Sequence, residues 1–179
     1  MNEAVIEGVP LAETDERTEQ QQRKELYARI NKTKTCLLMT HDAVGGMHVR
    51  PMHTQQVEPP GIVWMFMSAR GRLAEEIAAN PDVLLTYGHP SDGAYAAVRG
   101  QAIAVHDVEK AKELWTAVAG AWFPGGPEDP SLALLRVTMS WAEAWEPTHG
   151  KVLQFLEIAA AALTKSVPQD DGTYRRIDF

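Results

Sequence analysis

The run with the most chemical potential is Phe66-Met67-Ser68-Ala69-Arg70-Gly71-Arg72, where a strand gives way to a helix. A hydroxyl, two guanidinium groups and the free N–H groups of a helix start converge there. That combination of charge, paired donors and a favourable dipole suits a dianionic phosphate. Arg50-Pro51-Met52 stands in the middle of another strand. Proline cannot donate to a strand ladder, so it marks an edge or an irregular place, and Arg50 supplies a rigid fork of donors for a phosphate or an electron-rich ring edge. Taken singly, each group also has an ordinary reading, as a surface arginine on an edge strand or a solubilising arginine at a helix start. Taken together on adjacent strands they are expected to form a phosphate site.

A third group is aromatic: Trp115, Trp122, Phe123, Trp141 and Trp145. Trp115 shares a helix with Leu114 and Val118, which suits packing. Trp141 and Trp145 lie four apart on a strand and share a face, so one can stack on something flat while the other packs. His41, His48 and His53 are the closest histidines in sequence. Even and odd positions of one strand point to opposite faces, so His48 and His53 cannot share an ion without a bulge, and no metal site is expected. The chain has no GxGxxG after a strand, no GxxxxGK[ST], no HExxH and no GxSxG. Pyrophosphate-loop, zinc-protease and serine-hydrolase readings thereby lose their main support.

The scaffold that must position these groups is bounded by composition. The chain has 179 residues, one domain's worth, and a net charge of −7 with scattered Lys and Arg, which argues against a nucleic-acid partner. Its single Cys36 permits no intrachain disulfide and no Cys-rich zinc site. The opening residues lack a basic start and an apolar stretch, and no run reaches the roughly 20 apolar residues of a spanning helix. A cytoplasmic protein without membrane contact is expected. Residues 1–17 read as a loose acidic arm, 18–165 as the folded domain and 166–179 as a polar tail in which Arg175 and Arg176 are solvated.

Within the domain, a helix from Thr18 to near Lys32 precedes a hairpin of strands 35–40 and 47–57 around Asp42, Gly45 and Gly46. After Pro59-Pro60-Gly61 a third strand covers 62–67, then a short helix runs from Arg72 to Ala79 and stops at Asn80-Pro81. Strands at 83–87 and 94–106 follow, the latter with a bulge or close approach at Gly100. Asp107 caps a helix carrying Val108, Ala111, Leu114, Trp115 and Val118, which breaks at 122–127. A last strand covers 132–146 and a helix covers 152–163. Neighbouring strands joined by turns predict a mainly β, α+β fold, an antiparallel barrel with flanking helices.

The order of RPM at 50–52, WMFMSARGR at 64–72, Asn80-Pro81, VRG at 98–100, WFPGG at 122–126 and AEAW at 142–145 resembles the general stress protein 26 branch of the pyridoxamine 5'-phosphate oxidase-like flavoproteins. The resemblance runs from about Leu26 to the C-terminus. It implies an FMN-binding split β-barrel and a homodimer with flavin at the subunit interface. It also implies that Arg50 lies beside the flavin, that the backbone of Pro51 and Met52 passes near the ring, and that Phe66, Met67 and Ser68 border the flavin and its ribityl chain. Arg70 and Arg72 match positions that usually read Ser and Lys around the phosphate, and Trp145 matches a Trp that approaches the cofactor across the interface. Tyr95 stands where vitamin-forming members tend to carry Gln, and Met67 where Thr is common. Those oxidases carry an Arg- and His-bearing segment after the Trp. Here it reads Glu146-Pro147-Thr148-His149-Gly150-Lys151, so vitamin B6 oxidation is not expected.

The leading expectation is a flavin-dependent oxidoreductase of unknown substrate connected with stress, meeting a small-molecule electron donor or acceptor. The second is a flavin storage or sensing protein without turnover. The third is haem or deazaflavin in the same barrel, with His41, His48 or His53 as the axial candidate for haem.

Overall fold

Side chains alternate between core and surface through most of the chain's centre, and those stretches form strands. The computed structural model describes residues 18–89, 93–147 and 172–179. Along them lie α1 (Glu19–Thr33), β1 (Thr35–His41), β2 (Met47–Glu58), β3 (Ile62–Ser68), α2 (Arg72–Ala79), β4 (Asp82–His89), β5 (Ala94–Val105), α3 (Val108–Leu114), α4 (Ala117–Trp122), β6 (Leu132–Pro147) and β7 (Gly172–Asp178). The strand order is β3-β2-β1-β4-β5-β6-β7, and β3 also pairs with β6, which closes the first six strands into an antiparallel barrel. The expected α+β split barrel is therefore the observed fold.

Length lets β6 close the ring and still extend the sheet. Its first half pairs with β3 from Ser68↔Leu132 to Ile62↔Thr138, and its second half pairs with β7 from Trp141↔Asp178 to Pro147↔Gly172. At Gly100 the register with β6 shifts, and a Cβ there would stand 2.3 Å from the Thr138 carbonyl oxygen. The close approach read from the sequence is real, and it requires glycine.

Strand parity sorts the side chains into two apolar bodies. Cys36, Leu38, Val63, Met65, Met67, Leu85, Tyr87 and Val98 point into the barrel. Trp64 and Phe66, the alternate residues of β3, point outward and are covered by Leu114, Trp115, Ala119 and Phe123 from the α3–α4 segment. Burying each such aliphatic side chain contributes about 1.5–3 kcal/mol. Phe66 meets Trp115 edge-on at 5.6 Å between ring centroids, so the packing role read for Trp115 holds.

The helices plug and flank the barrel. Thr18 and Gln21 form a reciprocal cap on α1, with the Thr18 hydroxyl accepting from Gln21 N at 3.3 Å and the Gln21 side-chain oxygen accepting from Thr18 N at 3.0 Å, worth about 1 kcal/mol. α1 lies against β2, β4 and β7, and α2 against β1, β3 and β5. No helix of the described residues is long and apolar enough to cross a membrane.

Two sequence expectations need correction. The helix predicted to run from Val108 past Val118 is two helices. Thr116 leaves helical geometry and caps α4 by accepting from Ala119 N, because a hydroxyl competes for backbone donors and favours a cap over a helix interior. The C-terminal residues are not a solvated tail, since 172–178 form β7. Tyr174-Arg175-Arg176-Ile177 alternates as an edge strand, with Arg175 and Ile177 buried. The expected helix at 152–163 lies outside the described residues.

Candidate functional site

Glu76 organises the charged end of the molecule. It is 2% exposed, on the face of α2 that turns toward β1 and β2. The Thr40 hydroxyl donates to its Oε2 at 2.6 Å, Arg72 Nε donates to its Oε1 at 2.9 Å, and Arg50 Nη2 donates to Oε2. Local structure dictates this convergence. His48 and Arg50 are two apart on β2 and share a face, Thr40 pairs with His48 across the ladder, and Arg72 and Glu76 are one helical turn apart. Burial pushes the Glu76 carboxyl up, but the Thr40 hydroxyl and the Arg50 guanidinium outweigh it and hold the group below its ordinary value. His48 continues the network, with Nε2 3.1 Å from Asp42 Oδ2 and Nδ1 2.9 Å from Arg72 Nη2. The hydrogen bond from His48, then that from Gly46 N, lowers the Asp42 pKa.

Beside this charged end, two clefts open on the outer surface of the barrel. Cleft A, of about 660 Å³, is bordered by Pro51, Met52, Phe66, Met67 and Ser68, with Leu73 from α2 and Val118, Trp122 and Phe123 from the α4 segment opposite. Cleft B, also about 660 Å³, lies between Leu37 and Thr86 on one side and Tyr95 and Trp145 on the other. Thr35 borders both. Tyr95 and Trp145 are direct register partners on β5 and β6, and Tyr174 on β7 pairs with Trp145 at 5.7 Å between centroids. Three aromatic residues thus lie in a row across neighbouring strands. Much apolar surface is open here, with Trp122 79%, Val118 64%, Tyr95 49% and Trp145 39% exposed.

Of the ten residues singled out from sequence, Pro51, Met52, Phe66, Met67 and Ser68 meet at cleft A, and Tyr95 and Trp145 meet at cleft B. Met67 is buried with the barrel core and Phe66 under α3 and α4. Arg50 and Arg72 border neither cleft, being gathered on Glu76. Arg70 is exposed beside Ser68, whose hydroxyl accepts from Arg70 N at 3.3 Å. Its guanidinium has no acidic partner among the described residues. Gly71 takes φ +109° and lends α2 no side-chain cap, so the first N–H groups of α2 have no side-chain acceptor. His48 and His53 diverge as strand parity requires, His48 into the Glu76 network and His53 to the border of cleft A. Of the Arg175-Arg176 pair, Arg176 is exposed as expected and Arg175 is buried. Arg175 is 5% exposed and paired with Glu25 at 2.9 Å and with Glu146, and Arg176 lies over the Trp141 ring at 4.9 Å.

Sequence reasoning missed Glu76 as the hub, Tyr174 as the third aromatic residue, and the part of α4 in cleft A. The four-residue spacing of Arg72 and Glu76 was a usable signal for the first. Nothing local signals the other two, since they depend on which strand pairs beside β6 and how α4 folds over β3.

Comparison with known proteins gives the following. A family model described as pyridoxamine 5'-phosphate oxidase like matches residues 21–169. No curated protein matches. Among solved structures, a protein from Jannaschia sp. CCS1 described as a general stress protein 26 superposes with a TM-score of 0.71 at 29% identity, covering 89% of this chain and 99% of that one. A general stress FMN/FAD binding protein from Xanthomonas citri gives a TM-score of 0.64 at 26% identity, covering 73% and 92%. The general stress protein 26 of Bacillus anthracis, at 20% identity and a TM-score of 0.62 over 69% and 93%, shares the fold.

Proposed function

The chain belongs to the pyridoxamine 5'-phosphate oxidase-like family, and on that premise we propose that it is a homodimeric, cytoplasmic FMN protein acting as an oxidoreductase. One observation carries the reading. Two aromatic-bordered clefts meet at Thr35, and cleft A ends beside Ser68, where α2 starts uncapped with Arg70 alongside. A helix start with free N–H groups, a hydroxyl and a guanidinium is the donor set a phosphate monoester requires, so the residues fit a phosphorylated flavin. The similarity to the Xanthomonas citri flavin-binding protein supports the same ligand class.

In this reading Ser68, Arg70 and the first turn of α2 hold the phosphate, with Arg72 and Arg50 adding positive charge from the Glu76 cluster. Pro51, Met52 and the backbone at Phe66 and Met67 lie along the ring. A two-fold axis near Thr35 would set cleft A of one protomer against cleft B of its partner, so that Tyr95 and Trp145 close over the flavin of the other subunit. The exposed apolar residues Leu37, Val49, Tyr95, Val118, Trp122 and Trp145 support such an interface. A bound flavin would supply hydride or single-electron exchange, while the protein's own part is to bind, orient and exclude water. No side chain of the site is required as a nucleophile.

The test is to load the protein with FMN and add NADH or NADPH without oxygen. Steady bleaching near roughly 450 nm, the flavin's own band, is expected. No bleaching with either donor would leave a flavin carrier in place of an oxidoreductase.

A further inference from the structure

Where the two clefts meet, the protein leaves a group of polar side chains unpaired. Thr35 on β1 and His53 on β2 are register partners, both are exposed, and both border cleft A. Gln55, two residues beyond His53, stands at the β2 bulge between Thr54 and Gln56 and borders the same cleft. None of these three side chains has a hydrogen-bond partner among the described residues.

Lys34 adjoins Thr35 and is the one non-glycine residue with positive φ among the described residues, at +57°. Its carbonyl accepts from Thr54 N at 2.7 Å, which continues the β1–β2 ladder. Strand alternation would send its side chain inward with Cys36. The turn at Lys34 breaks that alternation and leaves the side chain exposed. Helices that end on a positive φ ordinarily use glycine there, so the lysine is kept against backbone strain. It has no acidic partner among the described residues, and no Asp or Glu among them borders cleft A. Burial, and then the Lys34 charge, lowers the pKa of His53, so the ring is neutral at pH 7 and donates one N–H. One positive charge among neutral donors matches a group of one negative charge. A carboxylate offers two acceptor oxygens to such a set, whereas a phosphate dianion would bring a second charge with no counterpart.

We propose that Lys34, Thr35, His53 and Gln55 bind the carboxylate of a second small molecule, a monocarboxylic acid that enters where the two clefts meet. That it is the second ligand rests on the flavin reading above, in which Ser68 and Arg70 hold the flavin phosphate. The carboxylate site itself stands on its own four residues.

The probes are 2-naphthoate and 2-naphthamide, which match in shape and differ in charge at one group. In equilibrium dialysis at pH 7 on the full-length protein, with FMN loading verified by visible absorbance, the acid should bind at least about tenfold more tightly. 2-Naphthyl phosphate should bind no more tightly than the acid. Lys34→Gly removes the ammonium and supplies the residue the backbone favours. Its Tm should stay within about 4 °C of wild type, while its preference for the acid falls below about twofold. Lys34→Arg, which keeps the charge, should hold the acid's affinity within about threefold. Equal binding of acid and amide, no binding of either, tighter binding of the phosphate, or a preference that survives Lys34→Gly would overturn the proposal. So would a Lys34→Gly protein that loses affinity for FMN and not for riboflavin, which would give Lys34 to the flavin phosphate. A fall in dimer mass with the acid's affinity unchanged would give Lys34 to the subunit contact and overturn it as well. A preparation that takes up no FMN overturns the flavin reading alone, because the preference for the acid and its dependence on Lys34 are measured on it in the same way.

Discussion

The end of the barrel closed by α2 and the flank bordered by β5, β6 and α4 treat polarity in opposite ways. At the first, Thr40, Arg50 and Arg72 converge on the buried Glu76, so that every charge has a partner within the protein. At the second, Tyr95, Trp145, Val118 and Trp122 stay exposed and no charged side chain borders the clefts among the described residues. A buried ion cluster is satisfied without help, whereas an open aromatic surface has its partner elsewhere. The charged end therefore holds α2 to the barrel, and in the proposed reading the neutral flank receives the ligand.

The comparison is broken most forcefully at Glu76. Glu76→Ala leaves two guanidinium groups and a hydroxyl without their acceptor and should cost about 3–5 kcal/mol of stability in urea unfolding. A loss comparable to that of an ordinary surface substitution would show that the cluster does not hold α2 to the barrel. Next comes Arg70→Ala, which should weaken FMN by about 1.5–3 kcal/mol while sparing riboflavin, because a charge-assisted contact to phosphate is removed. Equal losses for the two ligands, measured by fluorescence titration, would take Arg70 out of the phosphate site.

Acidity sharpens the contrast. The folded pKa of Glu76 lies below its unfolded value, so its contribution is present above the ordinary carboxylate range and is lost as pH falls through the folded value. Wild type should lose stability more steeply than Glu76→Gln on descending through and below that range, and parallel curves would contradict the assignment. The smallest effect on stability belongs to the flank. Trp145→Ala should change stability by no more than about 0.5 kcal/mol, as expected of an exposed side chain, yet alter the quenching of flavin fluorescence. Unchanged quenching would leave Trp145 outside the flavin's surroundings.

Local signals carried much of this into the sequence. The apolar runs and turn residues that bound β1 to β5, the Asp107 cap, the Arg72–Ala79 helix and the glycine required at 100 each follow from residues close together in the chain. What escaped depends on distant pairing. β7 is short and rich in Arg, and its burial comes from lying beside β6, with Glu25 and Glu146 brought to Arg175 by the fold. For Arg50, nothing local signals that α2 crosses β1 and delivers Glu76 to it. Seven of the ten site residues still gather at the two clefts, because strand ends and aromatic positions on a barrel are fixed by parity and register.

The most direct test of the central claim is to purify the protein without added cofactor, denature it, and identify what is released by absorbance and mass. The account predicts FMN. A protein that releases nothing and takes up no added FMN would contradict it.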